Sequence, residues 1–204
     1  MQSKFQSIAF TPAVKQAQER YGSRRQLARF EDGIETNVEL TDAEADFIEQ
    51  RDGFYLATVG ENGQPYIQFR GGNRGFLKVL DETTLGFADF RGNLQYISSG
   101  NLTANSHAAL FLMDYAGRRR LKIFADVEIL DAADEPELLA KLADPDYKAK
   151  VERLFVLHVK AFDWNCPQHI NPKYSIDEVE RYAAGLRSRI TELEAELAEL
   201  KKKQ

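Results

Sequence analysis

From Phe54 onward apolar and polar positions alternate at the period of β-strands. FYLATV (54–59) is followed by GENGQ, whose Asn62-Gly63 pair suits a tight hairpin turn, and then by PYIQFR (65–70). GFLKVL (75–80) and TLGFADF (84–90), separated by Asp-Glu-Thr, predict a second hairpin with Phe76, Leu77 and Lys78 inside its first strand. AALFLMD (108–114) and LKIFADVEIL (121–130) predict a third, joined by the polar YAGRRR, and LFVLHVKAF (154–162) predicts a late strand. Stretches near 93–105 and 134–152 predict intervening helices. The expected fold class is therefore mainly β with flanking helices. About seven strands joined mostly by hairpins close most economically into an antiparallel barrel, because closure removes unpaired edges.

Both ends of the chain follow a helical period instead. TPAVKQAQERYG opens on Thr11 as an N-cap with Pro12 at the first helical position, and closes at Gly22. TDAE places Glu44 three residues after Thr41, the spacing of a capping box. Near the other end Ser175 and Glu178 repeat that spacing. Ile176, Val179, Ala183, Leu186, Ile190, Leu193, Leu197 and Leu200 then alternate three and four apart, a coiled-coil-like heptad pattern. Such a helix either pairs with another copy or lies along its own domain; pairing is the expectation. The organisation predicted is a helical segment over 1–50 packing on the barrel, a barrel domain over 51–174 and a heptad helix over 175–204.

Composition changes this picture little. At 204 residues with 43% hydrophobic and 11% aromatic content, the chain can build a core without staples. A formal charge of −5 argues against general nucleic-acid binding. One cysteine, Cys166, excludes an internal disulfide framework and suits a reducing compartment. No apolar run reaches the roughly 20 residues needed to span a bilayer, and the N-terminus lacks a secretory apolar core, so a cytoplasmic protein with no membrane partner is expected.

Several chemistries fail on spacing. GGNRG (71–75) lacks the Gly-Lys-Ser/Thr of a phosphate-binding P-loop and precedes a strand, unlike a dinucleotide fingerprint. His107, His158 and His169 lack metal-ligand spacing with each other or with Cys166, so no metal is expected. Cys166 has His169 three residues on, but Pro167 intervenes and no helix sets their geometry, which argues against a nucleophile. Arg118, Arg119 and Arg120 read as a solvated hairpin tip, with Arg120 able to point inward where the strand begins.

What composition leaves unexplained is residues 70–95, where Arg70, Arg74, Lys78 and Arg91 gather around paired glycines and an aromatic strand. Ordinary surface placement accounts for some of these cations; an anionic ligand accounts for their clustering. The succession GQPYIQFRGG, GFLKVLDETTLGFADFRGN, NLTANSHAALFLMDY and RRRLKIFADVEI resembles the pyridoxamine 5′-phosphate oxidase-like flavoproteins, the FMN-binding split barrels, over residues 41–170.

The resemblance implies an antiparallel split β-barrel and a homodimer with FMN at the subunit interface. FMN joins a phosphate dianion, a polar ribityl chain and a flat apolar ring, so its site needs cations, hydrogen-bonding groups and a slot. The positions matched to the family's cofactor contacts are Gln68, Arg70, Gly71, Gly72 and Arg74, then Phe76, Leu77 and Lys78, then Phe87, Ala88 and Asp89. A helix opening near Gly92 would follow, with Arg91, Asn93 and Gln95 taking the place of the oxidase's basic pair at the phosphate. Lys78 or Arg120 is expected near the pyrimidine end of the ring. Trp164, Asn165, Gln168 and His169 occupy the segment that the oxidase supplies to its partner's flavin; a core role for Trp164 is the alternative.

The oxidase's arginine-rich, substrate-gripping end is absent, so a donor other than pyridoxamine phosphate is expected. The function implied is an FMN-dependent oxidoreductase acting on a small organic donor or a reduced nicotinamide, with no side chain assigned as catalytic acid or base. The alternatives are a flavin-binding or flavin-sensing module without turnover, and the same barrel holding a deazaflavin or haem.

Overall fold

The computed structural model describes residues 2–31, 33, 35–164 and 167–202. The chain forms two compact units: Met1–Asp114 with Arg119–Pro167, and Tyr115–Arg118 with Gln168–Gln204.

The first unit begins with β1 (Gln2–Ser3), α1 (Lys4–Ala9), α2 (Pro12–Arg20), α3 (Arg24–Leu27), a single 3-10 turn (Ala28–Phe30) and β2 (Glu35–Thr36). Thr11 caps α2 as its sequence predicts, with its hydroxyl accepting from Val14 N at 3.4 Å, and Gly22 lies beyond the helix at φ 79°. β1 and β2 pair in parallel, a feature that two-residue strands cannot announce in a sequence. The helix α4 (Asp42–Glu49) starts at the Thr41–Glu44 capping box.

Seven strands make the sheet: β3 (Gly53–Val59), β4 (Pro65–Gly71), β5 (Lys78–Asp81), β6 (Thr84–Phe90), β7 (His107–Asp114), β8 (Arg119–Asp131) and β9 (Val151–Trp164). Their order is β4-β3-β7-β8-β9-β6-β5, and every pairing in this sheet is antiparallel. The sheet curls so that its two ends face each other. Phe54 on β3 and Phe87 on β6 have three strands between them in that order, yet their ring centroids are 5.5 Å apart, and Arg70 on the edge strand β4 reaches Asp89 on β6. A register shift between Phe124 and Ala125 interrupts the long β8–β9 ladder, the kind of irregularity that bends strands into a barrel. The architecture is an antiparallel split barrel with flanking helices.

Two positions differ from the sequence pattern. Phe76 and Leu77 precede β5 rather than lying in it, and both are buried in the main core. The reason is local: Gly75 turns the chain with φ 75°, and its N–H donates to Arg51 O, so Phe76 and Leu77 enter the core before the ladder begins. Residues 93–105 and 134–152 contain α5 (Ile97–Ala104) and α6 (Pro136–Leu142).

The core fills the barrel with Phe54, Leu56, Phe87, Leu110, Leu112, Leu121, Ile123, Phe155 and Leu157. β6 is covered on both faces. Leu85 and Phe87 point into the barrel, whereas Ala88 joins Leu142 of α6 and Leu154 in a second cluster. Period-two alternation then sends Asp89 to the same side as Phe87, which is how an acid comes to sit at the end of an apolar interior.

The second unit contains α7 (Ile176–Lys202), one uninterrupted helix with no buried residue. Its N-terminus carries the Ser175–Glu178 box expected from the sequence: Ser175 N and Oγ donate to Glu178 Oε2 at 2.7 and 2.9 Å. No helix among the described residues is long and apolar enough to cross a membrane.

Candidate functional site

The antiparallel register sets Asp89 on β6 opposite Arg153 on β9. Cross-strand neighbours on one face lie within reach of each other, and here they form a partly buried ion pair: Arg153 Nε and Nη2 donate to Asp89 Oδ2 at 3.0 and 2.6 Å. From the other end of the curled sheet Arg70 Nη1 donates to Asp89 Oδ1 at 2.5 Å. Asp89, only 2% exposed, is thus shared between two guanidiniums. The ring of Phe155 lies under Arg70 and that of Tyr96 under Arg153, at 5.4 and 4.7 Å from centroid to guanidinium carbon.

The accounting is incomplete on the Arg70 side. Its Nε is buried and has no hydrogen-bond partner, whereas Arg153 also donates to Glu152 Oε2 at 3.2 Å. Burial lowers the pKa of Arg70 despite the attraction of Asp89, and nearby Arg153 adds to the lowering. For Arg153 burial acts the same way, but the hydrogen bond and charge of Asp89 outweigh it and raise the value. Both guanidiniums remain charged at neutral pH.

These groups line a pocket with Tyr66, Gln68, Phe90, Gly92 and residues 93–99. Tyr66, Gln68 and Arg70 follow one another at alternate positions of β4 and share one face. Gln68 Oε1 accepts from buried Ser98 Oγ at 3.0 Å, which joins the strand to α5. α5 opens into the pocket through Ile97, Ser98 and Ser99. Its N-cap residue, Tyr96, is left-handed at φ 50° and offers no side-chain cap to the first amides. Leu94 is also left-handed, at φ 62°. Two such residues around Gln95 store strain in a short loop, a pattern that concentrates at ligand sites.

Asn93 braces that loop: its Oδ1 accepts from Gln95 N at 3.2 Å and its Nδ2 donates to Gln95 Oε1 at 3.3 Å. This turn delays the helix to Ile97 from the opening near Gly92 that the sequence suggested.

The structure brings together Gln68, Arg70, Asp89, Asn93 and Gln95 among the residues singled out in the sequence. None of the others among the described residues lines this pocket. Gly71 ends β4 and Gly72 follows it, and a Cβ at Gly71 would come within 2.8 Å of the Phe69 ring. Arg74 is exposed in the turn before β5, and Lys78 lies on β5 itself. Phe76, Leu77, Phe87 and Ala88 are packed in cores. Arg91 is half-exposed beside Glu152, at 3.5 Å. Arg120 pairs in register with Met113, and its Nε is buried without a partner.

Trp164 closes the far end of β9. Its Nε1 donates to Glu44 Oε1 at 2.6 Å, it packs edge-on against Phe47 at 4.7 Å, and Arg119 lies over its ring. Asn165 lies outside the described residues, and Gln168 and His169 are exposed in the second unit.

The residue that sequence reasoning missed is Arg153. In VERLFVLHV it reads as one more polar position of an alternating strand; only its register opposite Asp89 reveals it. The available signal was a cation two residues before Phe155, on the inward-facing set of β9.

Chemically, the pocket is a fixed array of anion donors: two guanidiniums restrained by one carboxylate, an orphaned buried N–H, hydroxyls and an uncapped helix start. With Arg91 and Glu152 included, three guanidiniums face two carboxylates, which leaves one positive charge in excess. Among the described residues no group of three or more His, Cys, Asp or Glu could hold a metal.

Comparison with known proteins bears on the whole barrel. No curated protein matches the chain. Among solved structures, HupZ of Group A Streptococcus is 16% identical with a TM-score of 0.48, covering 66% of this chain and 99% of its own. An FMN-binding protein from Syntrophomonas wolfei subsp. wolfei is 14% identical with a TM-score of 0.46, covering 72% of this chain and 97% of its own. The family model for pyridoxamine 5′-phosphate oxidase matches residues 40–165, a span that runs from the start of α4 through the last barrel strand and holds every residue of the pocket. On that match, over more than half its length, the chain belongs to the pyridoxamine 5′-phosphate oxidase family.

Proposed function

We propose that the chain binds FMN with its phosphate in the Arg70–Arg153 pocket, and that it acts as a flavin-dependent oxidoreductase on a small organic donor or a reduced nicotinamide. The observation that carries this reading is the buried, partnerless Nε of Arg70 beside an uncapped helix start, within a cation-rich pocket of a chain from this family. A phosphate oxygen supplies the acceptor that Nε lacks. The residues fit a phosphate in kind: guanidiniums, the Ser98 and Ser99 hydroxyls and free helix amides all donate.

Asp89 has a positioning role. It holds both guanidiniums in place before any ligand arrives, which reduces the ordering cost of binding. Gln68, held by Ser98, is the polar group nearest in sequence to Arg70 on the same face of β4 and suits the ribityl chain. The flavin, when bound, supplies hydride acceptance and return; the protein's part is to hold and orient it.

The pocket within one chain admits the centre of a water molecule over only about 40 Å³, enough for a small group and not for a ring system. The flavin ring therefore lies beyond it, on a surface completed by a second copy. The outer faces of β3 and β4 suit such a copy: Ile67 and Phe69 are 62% and 59% exposed, and Tyr55 packs edge-on against Phe69.

The test compares FMN with riboflavin by fluorescence titration of the full chain. FMN is expected to bind far more tightly than riboflavin to the unaltered protein. In Arg70→Ala that advantage shrinks by roughly 10- to 100-fold, the worth of a charged hydrogen bond of about 1.5–3 kcal/mol. An undiminished preference in Arg70→Ala removes the phosphate assignment. Steady-state oxidation of NADH or NADPH by the FMN-loaded protein then separates an enzyme from a binding module, since the latter holds flavin without turnover.

A further inference from the structure

The family match ends at residue 165, and α7 lies wholly beyond it. Its apolar residues form a single stripe, and six of them, Ile176, Val179, Leu186, Ile190, Leu197 and Leu200, are each more than half exposed. We propose that this stripe seats against the same stripe of a second copy of the chain as a parallel, in-register, two-stranded coiled coil.

The flanking charges choose both the occupant and its direction. With Ile176 as heptad position a, the d positions are Val179, Leu186, Leu193 and Leu200. The e positions are then Glu180, Arg187, Glu194 and Lys201, and the g positions include Arg189 and Glu196. In a parallel pair each g residue faces the e residue five places on in the other helix. Arg189 then faces the partner's Glu194, and Glu196 faces the partner's Lys201, each twice by symmetry.

In a fully overlapped antiparallel pair e faces e and g faces g. Arg187 then meets the partner's Arg187, Arg189 meets the partner's Arg189, and Glu180 meets the partner's Glu194. Arg189 and Glu194, which attract each other in the first arrangement, each meet a like charge in the second. Ile176 and Ile190, two of the four a positions, combined with Leu at three of four d positions, also lean toward two parallel strands. Within one helix Arg189 has Glu192 at 2.8 Å and Glu196 at 4.0 Å, both exposed pairs that leave it free to engage a second helix. A parallel coil carries its two-fold along its own axis, so it closes as a single dimer and adds no open-ended contact.

This inference stands apart from the flavin reading, because it uses no residue of the pocket. It is tested in the full chain by disulfide formation, with Cys166→Ser as background. Leu200→Cys and, separately, Leu186→Cys are oxidised mildly and run on a non-reducing gel. Each is expected to convert almost completely to a disulfide-linked dimer, because d faces d in register. Adding Glu194→Lys should cut the rate of cross-linking several-fold at low salt, and Arg189→Glu combined with Glu194→Lys should restore it. Absence of dimer at both positions overturns the proposal. So does cross-linking of Leu200→Cys only to chains carrying Ile176→Cys, the antiparallel match, or faster cross-linking with Glu194→Lys, which would then face the partner's Glu180.

Discussion

Asp89 and Glu44 are both buried acids of the same barrel, and they are satisfied in opposite ways. Glu44 accepts from Thr41 N and Oγ1 at 3.0 and 2.5 Å and from Trp164 Nε1 at 2.6 Å, so its bonds close a helix start and fasten it to the end of β9. Nothing is left over. Asp89 instead gathers two guanidiniums whose donors exceed what one carboxylate can accept, and one of those donors stays buried and unpaired. The first arrangement completes itself; the second leaves a buried donor unpaired. The comparison teaches that burial of an acid says little about its role, whereas the balance of donors around it says a great deal.

The largest test of this contrast is Asp89→Asn. Removing the shared charge leaves the largely buried Arg70 without a carboxylate and Arg153 with Glu152 alone, and a loss of about 3–5 kcal/mol is expected. Thermal unfolding should show it as a fall of roughly 2–4 °C per kcal/mol for a chain of this size. A smaller loss than that of the Glu44 variant would break the comparison.

Glu44→Gln comes next, at about 1–2 kcal/mol, since the cap weakens but the amide still accepts from Trp164. Acid reads the same group. Burial favours the protonated form of Glu44, but the hydrogen bonds from Thr41 and Trp164 outweigh it and hold the carboxyl below the usual carboxylate range. Its stabilising contribution is therefore complete above the unfolded carboxylate value of about 4.3 and is lost as pH falls through the lower folded value. Trp164 is the single tryptophan, so its fluorescence should report this acid transition in the unaltered protein and not in Glu44→Gln.

Arg70→Ala sharpens the contrast further. Asp89 keeps both bonds from Arg153, so the stability cost is expected near 1 kcal/mol, while the proposed FMN binding is expected to weaken strongly. A stability loss rivalling that of Asp89→Asn would make Arg70 a structural residue. The smallest effect belongs to Arg91→Ala, within about 0.5 kcal/mol in chemical unfolding, because its pair with Glu152 is half in solvent.

Much of the fold was legible in local pattern. The hairpin of β3 and β4 follows from alternation around Asn62-Gly63, the Thr41 and Ser175 boxes from spacing, and α7 from its heptads, because each signal is written within a few turns of chain. The site was legible by half. Gln68, Arg70, Asp89, Asn93 and Gln95 stood out through the resemblance. Arg74, Lys78 and Arg91 looked equivalent to Arg70 in a linear reading, yet none of them lines the pocket. Trp164 suited a ligand segment and is bonded to a helix cap.

By itself the amino-acid sequence determined the strands, the helix starts and the amphipathic stripe of α7, since period and capping act between residues close along the chain. Tertiary structure alone decided that Arg70, Asp89 and Arg153 meet. They lie 19 and 64 residues apart, and their meeting depends on the β6–β9 register and on the curl that returns β4 to β6. A charge is printed in the sequence; whether it is paired, shared or left wanting an acceptor depends on which strands the barrel brings together.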